Sequence, residues 1–409
     1  MSHRYQLFEA FGVELEYMIV DRDSLDIRPI ADEVLKVAAG EIVSEVDRGT
    51  ISWSNELALH VIELKSTDPA PALAPLVDAF DEQIDQLGEI LGGLQASLLP
   101  TAMHPWMNPD REMRLWPHDY NPVYEAYNRI FDCRGHGWAN LQSVHLNLPF
   151  ADDNQFGRLH AAIRILLPLL PALAASSPIV AGELTGFADN RMRVYRENSR
   201  RVRSLTGDVI PEAVFTQADY DAQIFQVMYR DIAPYDPQAI LQHEWLNSRG
   251  AIARFDRHAI EIRVLDVQEK PAADIAICEA VVAVLKLLVG ERWTTYAEQQ
   301  QVPTHMLSAL LSDTTRHAEL AVVDHPTLLR QFGLNDRASS SQGVRCDQLW
   351  QTLIDQVKDQ ISQPEPLRLI LNEGTLARRI ESKLTSGSTH TGKFSTDELR
   401  PIYRSLLLT

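Results

Sequence analysis

Carboxylates recur inside apolar, strand-patterned segments of this 409-residue chain. Glu14 and Glu16 lie in GVELEYMIV, and Glu261 lies in AIEIRVLD, two residues before Arg263. A strand sends alternate side chains to opposite faces, so Glu14 and Glu16 share one face, as do Glu261 and Arg263. A carboxylate buried in an apolar strand is costly unless a cation neutralises it. Several such strands predict a sheet face that binds divalent metal ions.

Two further segments extend this pattern. Glu56 and Glu63 lie in NELALHVIELKS, and His145 lies in LQSVHLNLPF, on the same strand face as Asn147. The odd separation of Glu56 and Glu63 requires a bulge or bend if both face one site. Each residue alone also fits a simpler role. The Glu14 pair fits a polar edge strand, His145 fits a hydrogen-bonded core histidine, and the Glu261 pair fits a cross-strand ion-pair ladder.

Charge and cysteine content narrow the class of protein. The net charge of −18 argues against non-specific nucleic-acid binding, which needs a basic face. The three cysteines are far apart and form no CxxC pair, and the amino terminus lacks the apolar core of a signal peptide. The apolar stretch IRILLPLLPALAASSPIVA contains Arg164 and three prolines, which favours a bent, buried helix over a membrane span. We therefore expect a reduced, cytoplasmic protein that has no membrane or nucleic-acid partner.

The order of patterns predicts an α+β fold. Strand patterns fall near residues 11–20, 55–66, 139–149 and 258–267, and helical patterns cover 72–99, 154–175 and 272–288. These patterns favour an antiparallel or mixed sheet backed by helices on one side, with the other face free for a site. Helices dominate after about residue 345, whereas the polar segments 313–342 and 384–395 are typical of surface loops. We divide the chain into residues 1–300 and a mainly helical part, 301–409, expected to pack on the same domain.

A basic run, RMRVYRENSRRVR, stands out in an acidic chain. It contains six arginines: Arg191, Arg193, Arg196, Arg200, Arg201 and Arg203. A solvated helix face explains some of them, and an anion clamp explains one or two. No aromatic stacking pattern accompanies the run, which weakens a nucleic-acid role. The sequence also contains neither GxxxxGK[ST] nor a GxGxxG after a strand, so any ATP must be positioned by metal ions on the sheet.

Taken in order, these segments resemble the glutamate–cysteine ligase superfamily, in particular its bacterial type 2 and carboxylate–amine ligase branch. The resemblance runs from about residue 10 to 290, through GVELEYMIVD, ELALHVIELK, SVHLNLPF, PALAASSPIVAGELTGFADNRMRVY and RFDRHAIEIRVLDVQ. It implies a catalytic domain like those of glutamine synthetase and the guanidino kinases, in which an antiparallel sheet forms a funnel for ATP and two or three Mg²⁺ ions. Residues 1–300 would form this domain.

The resemblance also implies roles for individual residues. The expected metal ligands are Glu14, Glu16, Glu56, Glu63, His145 and Glu261. Arg263 would contact the ATP phosphates and, with Glu261, form the catalytic pair, while Arg254 and Arg257 are further candidates for phosphate contact. Arg191 would hold the carboxylate of the substrate.

The implied activity is an ATP-dependent ligation of a carboxylate, the side chain of glutamate in the leading form, to an amine through an acyl phosphate. The partners would be an amino acid and an amine, and the family favours a homodimer. Two alternatives remain open: a metal-dependent phosphotransferase on the same scaffold, and a non-catalytic protein that binds ATP or an amino acid.

Overall fold

The fold is built on an eight-stranded antiparallel sheet. The computed structural model describes residues 4–335, 343–385 and 392–408. The strands, in chain order, are β1 (Gly12–Asp21), β2 (Glu45–Asp47), β3 (Ile51–Asn55), β4 (Val61–Ser66), β5 (Ala96–Leu99), β6 (Ser143–Pro149), β7 (Ile179–Val180), β8 (Glu183–Leu184), β9 (Ala251–Arg254), β10 (Ala259–Asp266), β11 (Val322–Val323) and β12 (Val344–Arg345). The main sheet has the order β2-β3-β4-β1-β6-β10-β9, and β5 pairs with the far end of β1. The remaining four strands form two small ribbons, β7-β8 and β11-β12.

Helices surround this sheet and form most of the carboxy-terminal part. They are α1 (Ala31–Ala39), α2 (Leu76–Gly93), α3 (Pro109–Glu112), α4 (Asn121–Phe131), α5 (His136–Ala139), α6 (Asp153–Leu166), α7 (Pro171–Ala174), α8 (Asn190–Asn198), α9 (Gln217–Tyr220), α10 (Gln226–Ile232), α11 (Pro271–Val289), α12 (Tyr296–Gln300), α13 (Thr304–His317), α14 (Pro326–Gln331), α15 (Cys346–Val357), α16 (Glu365–Glu373), α17 (Leu376–Thr385) and α18 (Thr396–Arg404). Within the described ranges, no helix is both long enough and apolar enough to cross a membrane.

Alternation along β1 separates the core from the polar face of the sheet. Val13, Leu15 and Tyr17 are fully buried in the hydrophobic core, whereas Glu14 and Glu16 point to the opposite face. The helix α2 packs against β3, β4 and β5. The predicted α+β architecture, with an antiparallel sheet backed by helices, is confirmed.

Two segment predictions were wrong in their boundaries. Residues 55–66 do not form one strand, because β3 ends at Asn55 and the chain turns through residues 56–60 before β4 begins. The helical pattern over 72–99 ends at Gly93, after which β5 pairs with Met18–Asp21 of β1. Two consecutive glycines weaken the end of this helix, and Gln95 adopts a positive φ of 55°, which turns the chain into the strand.

The carboxy-terminal helices pack on the same core as the sheet domain. Both α15 and α16 contact α11, and the indole Nε1 of Trp350 donates a hydrogen bond to the carbonyl of Leu169 over 3.0 Å. Apolar side chains from both parts belong to one continuous buried cluster. The division at residue 300 stays a prediction. The predicted loops at 313–342 and 384–395 fall partly outside the described residues. The described part of the first was wrong as a loop, because it contains the end of α13, β11 and α14, and the second begins in the last two residues of α17.

Candidate active site

The polar face of the sheet carries two rows of side chains that cross neighbouring strands. Strand register determines which residues stand side by side. The first row is Glu45, Ser54, Glu63 and Glu16, and the second is Ser52, Lys65, Glu14 and His145. Each row therefore brings together residues that are far apart in the sequence.

Residues of these rows, together with Glu56, form two groups of candidate metal ligands that share one member. Ligand atoms of Glu14, Glu63 and His145 lie within 4.8 Å of one another, and so do those of Glu16, Glu56 and Glu63. Glu63 belongs to both groups, and only 6% of its surface is exposed. Five of the six predicted metal ligands therefore meet on one small patch of the sheet.

Glu63 is held in place although its charge is disfavoured. Its Oε2 accepts a 2.7 Å hydrogen bond from Ser54 Oγ and lies 3.4 Å from the ammonium of Lys65. Burial raises the pKa of Glu63 well above its usual range, and the charges of Glu14 and Glu56 raise it further. A nearby cation would therefore stabilise the ionised form of Glu63.

Glu56 reaches the patch from the connection between β3 and β4. Burial and the neighbouring charge of Glu16 raise the pKa of Glu56 to about 7. The odd sequence separation of Glu56 and Glu63 requires a bend between them. The connection between β3 and β4 is that bend, because it reverses the chain and allows Glu56 to approach Glu63.

His145 forms an ion pair at the centre of the patch. The Oγ of Ser143 donates to Glu16, so it accepts from the Nε2–H of His145, while the Nδ1–H donates to Glu14 over 2.8 Å. Burial alone lowers the pKa of His145, but the bond to Glu14 and the acidic neighbours raise it to about 9. Burial likewise raises the pKa of Glu14, yet the bond and charge of His145 outweigh that effect and bring the pKa to about 2. Metal binding at this position would displace the histidine protons.

Glu261 lies beside the two groups rather than inside them. Its carboxylate is 2.7 Å from Nε of Arg263 and 3.8 Å from Nη1 of Arg254. A β-bulge follows Ile262, and the backbone N–H of Arg263 bonds to the carbonyl of Gly250. A Cβ at Gly250 would lie 2.5 Å from Val264 Cγ1, so only glycine allows the bulge to approach this closely. Whether Glu261 binds metal stays a prediction.

Arg191 is almost fully buried and points at the same site. Its Nε donates to Asp266, whose other oxygen accepts bonds from Ser176 and Ser177, and its Nη1 donates to the carbonyl of Arg263 over 3.1 Å. Its Nη2 has no hydrogen-bond partner among the described residues. That atom is available for an anion. The remaining five arginines of the basic run do not line the cavity beside Arg191.

A cavity of about 220 Å³ opens between Arg191 and the carboxylates. Sequence reasoning missed its aromatic wall, which consists of Tyr124, Tyr127, Trp138, Tyr195 and Trp245. Tyr195 follows Arg191 by one turn of α8, which is the signal that could have identified it. The other rings come from short helices with no pattern that links them, and the ring of Tyr127 lies 5.1 Å from that of Trp138.

A second cavity, of about 330 Å³, adjoins the other end of the patch. It is lined by Glu14, Asn147 and the exposed Arg257 among others. Arg254 is 8% exposed and forms an ion pair with Asp256. The carboxylate patch therefore lies between two cavities, one beside Arg191 and one beside Arg257.

The donor set fits hard divalent cations. Carboxylate oxygens are the protein ligands that Mg²⁺ prefers. Burial, together with neighbouring carboxylates, raises the pKa values of Glu56 and Glu63, so a bound cation would stabilise both charges. Glu14, Glu63 and His145 would hold one ion, and Glu16, Glu56 and Glu63 would hold a second. Ions held there would neutralise the negative charge of a phosphoryl group during its transfer.

Comparisons with known proteins agree on one family. The sequence profile of Glutamate-cysteine ligase family 2 (GCS2) matches residues 10–388. An uncharacterized protein of Archaeoglobus fulgidus is 34% identical over 305 residues, which cover 75% of this chain and 79% of that protein. A putative glutamate–cysteine ligase 2 of Clavibacter michiganensis is 26% identical over 214 residues, 51% of this chain and 50% of that protein. This match thus spans half the length of the named relative.

A solved structure shares the fold. The bifunctional glutathione synthetase from Pasteurella multocida aligns with a TM-score of 0.53 and 13% identity, over 98% of this chain and 52% of that one. At this identity the likeness concerns the fold alone.

Proposed function

This chain belongs to glutamate–cysteine ligase family 2, and from that membership we propose that it is an ATP- and Mg²⁺-dependent carbon–nitrogen ligase. Its substrates are an amino-acid carboxylate, the γ-carboxylate of glutamate in the leading form, and an amine. The observation that carries the proposal is that the two groups of candidate metal ligands share Glu63 and lie beside Arg263.

The reaction first activates the carboxylate. An oxygen of the substrate carboxylate attacks the γ-phosphorus of ATP, the bond to the bridging oxygen breaks, and ADP leaves with that electron pair. The product is an acyl phosphate. The amine nitrogen then attacks the acyl carbon and loses a proton, and inorganic phosphate leaves as the amide forms. Activation is needed because a free carboxylate has no adequate leaving group.

Phosphoryl transfer depends mainly on positioning and on neutralising charge. Bound Mg²⁺ would supply part of that neutralisation, and the residues that would hold it are Glu14, Glu16, Glu56, Glu63 and His145. Glu261 forms an ion pair with the guanidinium of Arg263, which faces the cavity and would stabilise the transferring phosphoryl group.

Arg191 is suited to the amino-acid substrate. Its unpaired Nη2 and the cavity of about 220 Å³ provide a place for a carboxylate, and Tyr195 lies on the same helix and lines the same cavity. The second cavity, beside Glu14 and Arg257, would then receive the nucleotide. Bound in these two places, the substrates would meet over the shared Glu63.

The test is ADP release by the purified full chain with ATP, Mg²⁺, glutamate and a panel of amines, with the amide product identified by mass spectrometry. We expect ADP release that depends on both glutamate and one class of amine. Arg368→Ala serves as a control, because the Arg368 side chain is 68% exposed and lies on α16, which packs on α11, α15 and α17. No amine-dependent turnover across the panel would contradict the ligase, and ADP release without amine dependence would indicate a phosphotransferase.

A further inference from the structure

A lysine stands within the carboxylate array. Lys65 lies on β4 directly opposite Glu14 on β1 and opposite Ser52 on β3. Its side chain therefore projects from the same face as Glu63, two residues earlier on the strand. In the neighbouring row, the β4 residue that pairs with β1 is an acidic one, Glu63.

The ammonium of Lys65 lies between two carboxylates from different strands. Its Nζ is 2.9 Å from Oε2 of Glu45 on β2 and 3.4 Å from Oε2 of Glu63. Lysine is thus placed where a cation would bridge Glu45 and Glu63. The side chains of Lys65 and Glu45 are 27% and 52% exposed, whereas that of Glu63 is 8% exposed, so the ammonium joins a buried carboxylate to one that is open to solvent.

A lysine side chain is ordinarily a cation at neutral pH, and the two carboxylates in contact with Lys65 favour that charge. Lys65 also occupies, together with Ser54, one oxygen of Glu63 and leaves Oε1 for a metal ion.

We propose that Lys65 is a built-in cation that takes the place of a third divalent ion, so that this chain binds two ions on the sheet rather than three. The inference rests on the metal site of the proposed function and adds to it the number of ions and the residue that limits it. Lys65 is in this sense a positioning residue, which acts on the metal ions through Glu63.

An ordinary cross-strand ion pair would produce the same contacts, so the number of bound ions is the decisive quantity. Once Lys65 is removed, Glu45 and Glu63 face each other without a cation. Two carboxylates suffice for Mg²⁺ or Mn²⁺, because such ions keep several of their waters. A structural ion pair would affect stability but would leave the ion count unchanged.

The experiment is equilibrium binding of Mn²⁺ alone to the purified full chain, with free Mn²⁺ measured by electron paramagnetic resonance. We expect two ions per chain for the wild type and for Lys65→Arg, which keeps the charge. We expect three ions for Lys65→Met and for Lys65→Gln, and two again for the double variant Lys65→Met/Glu45→Gln, in which the new position has lost a ligand. Lys36→Met, on the exposed face of α1, should bind two ions.

Three results would overturn the inference. If the wild type bound three Mn²⁺ ions, Lys65 would not take the place of an ion. If both Lys65→Met and Lys65→Gln bound the same number of ions as the wild type, Lys65 would not exclude one. In either case the metal site of the proposed ligase would stand. If the wild type bound no Mn²⁺, the inference and the proposed metal site would fail together.

Discussion

The guanidinium of Arg191 is bound to the carboxylate of Asp266 in a pair from which water is excluded, with side-chain exposures of 2% and 0%. Asp266 also accepts hydrogen bonds from the backbone N–H of Ser176 and from Ser177 Oγ, so its own position is fixed. Breaking a buried pair by removing one partner leaves an uncompensated charge. The pair thus determines where the free Nη2 of Arg191 points.

Replacing Asp266 by Asn should weaken binding of the carboxylate substrate more than it slows turnover. We expect KM for glutamate to rise at least ~10-fold with KM for ATP nearly unchanged, and the free energy of unfolding to fall by about 3 kcal/mol. Steady-state kinetics and urea denaturation would measure both. Ser177→Ala removes one bond to Asp266 but keeps the ion pair, and should have a much smaller effect on KM. An unchanged KM for glutamate in Asp266→Asn would contradict the role assigned to Arg191.

Glu63→Gln should abolish both metal binding and turnover while the fold is retained. The amide keeps the size of the side chain and can still accept the hydrogen bond from Ser54 Oγ. It removes the negative charge of the one residue that belongs to both groups of candidate metal ligands. We expect turnover to fall by at least ~10³-fold, as for other losses of transition-state charge stabilisation, and circular dichroism to be unchanged. Glu261→Gln should also reduce turnover strongly, through Arg263. Full activity of either variant would show that the assignment of these residues is wrong.

The contribution of two buried histidines to stability should decrease as the pH falls below about 6.5, the usual pKa of histidine. Burial lowers the pKa of His104 and of His60 to about 4. The Nδ1 of His104 accepts from the backbone N–H groups of Trp106 and Met107, so its Nε2–H must donate to Leu25 and the ring is neutral. In the unfolded chain both histidines take up protons below pH 6.5, which favours unfolding. The stability is therefore fully present above that pH and is lost towards about pH 4, by up to about 3 kcal/mol for each histidine.

Urea denaturation between pH 4 and 7.5 would measure this dependence. His104→Asn keeps an oxygen that can accept the two backbone bonds but cannot be protonated, so its stability should depend less on pH than that of the wild type. An equal pH dependence in the two proteins would mean that His104 is not the neutral group described.

Trp350→Phe tests whether residues 301–409 belong to the same folding unit as the sheet. The substitution leaves the carbonyl of Leu169 without its donor and should cost about 1–3 kcal/mol. We expect calorimetry to show one unfolding transition, which moves as a whole to lower temperature. Two transitions, of which only one shifts, would contradict the expectation that the helical part packs on the same domain.

Much of the candidate site could be predicted from local patterns. Alternation along single strands predicted that Glu14 and Glu16, and likewise His145 and Asn147, share a face, because a side chain's direction along a strand depends only on its position. The sequence also predicted that Glu56 and Glu63 need a bend between them. It placed the bend inside one strand, because the apolar residues of the connection continue the apolar pattern of the strand.

Contacts between strands could not be predicted in this way. Lys65 lies beside Glu14 only because β4 pairs with β1 in one register, and a shift of one residue would send it to the core. The aromatic wall of the cavity likewise depends on where short helices are packed. Asp266 was not identified at all, since its partner Arg191 is 75 residues away in the sequence.

The sequence by itself determined the α+β class, the acidic character of one sheet face and the set of residues from which a metal site could be built, because these depend on local periodicity and residue chemistry. Only the tertiary structure decided which carboxylates share an ion, which cation stands among them and which atom of Arg191 is left free. Those outcomes depend on register and packing, where distances of a few ångströms are set by residues far apart along the chain.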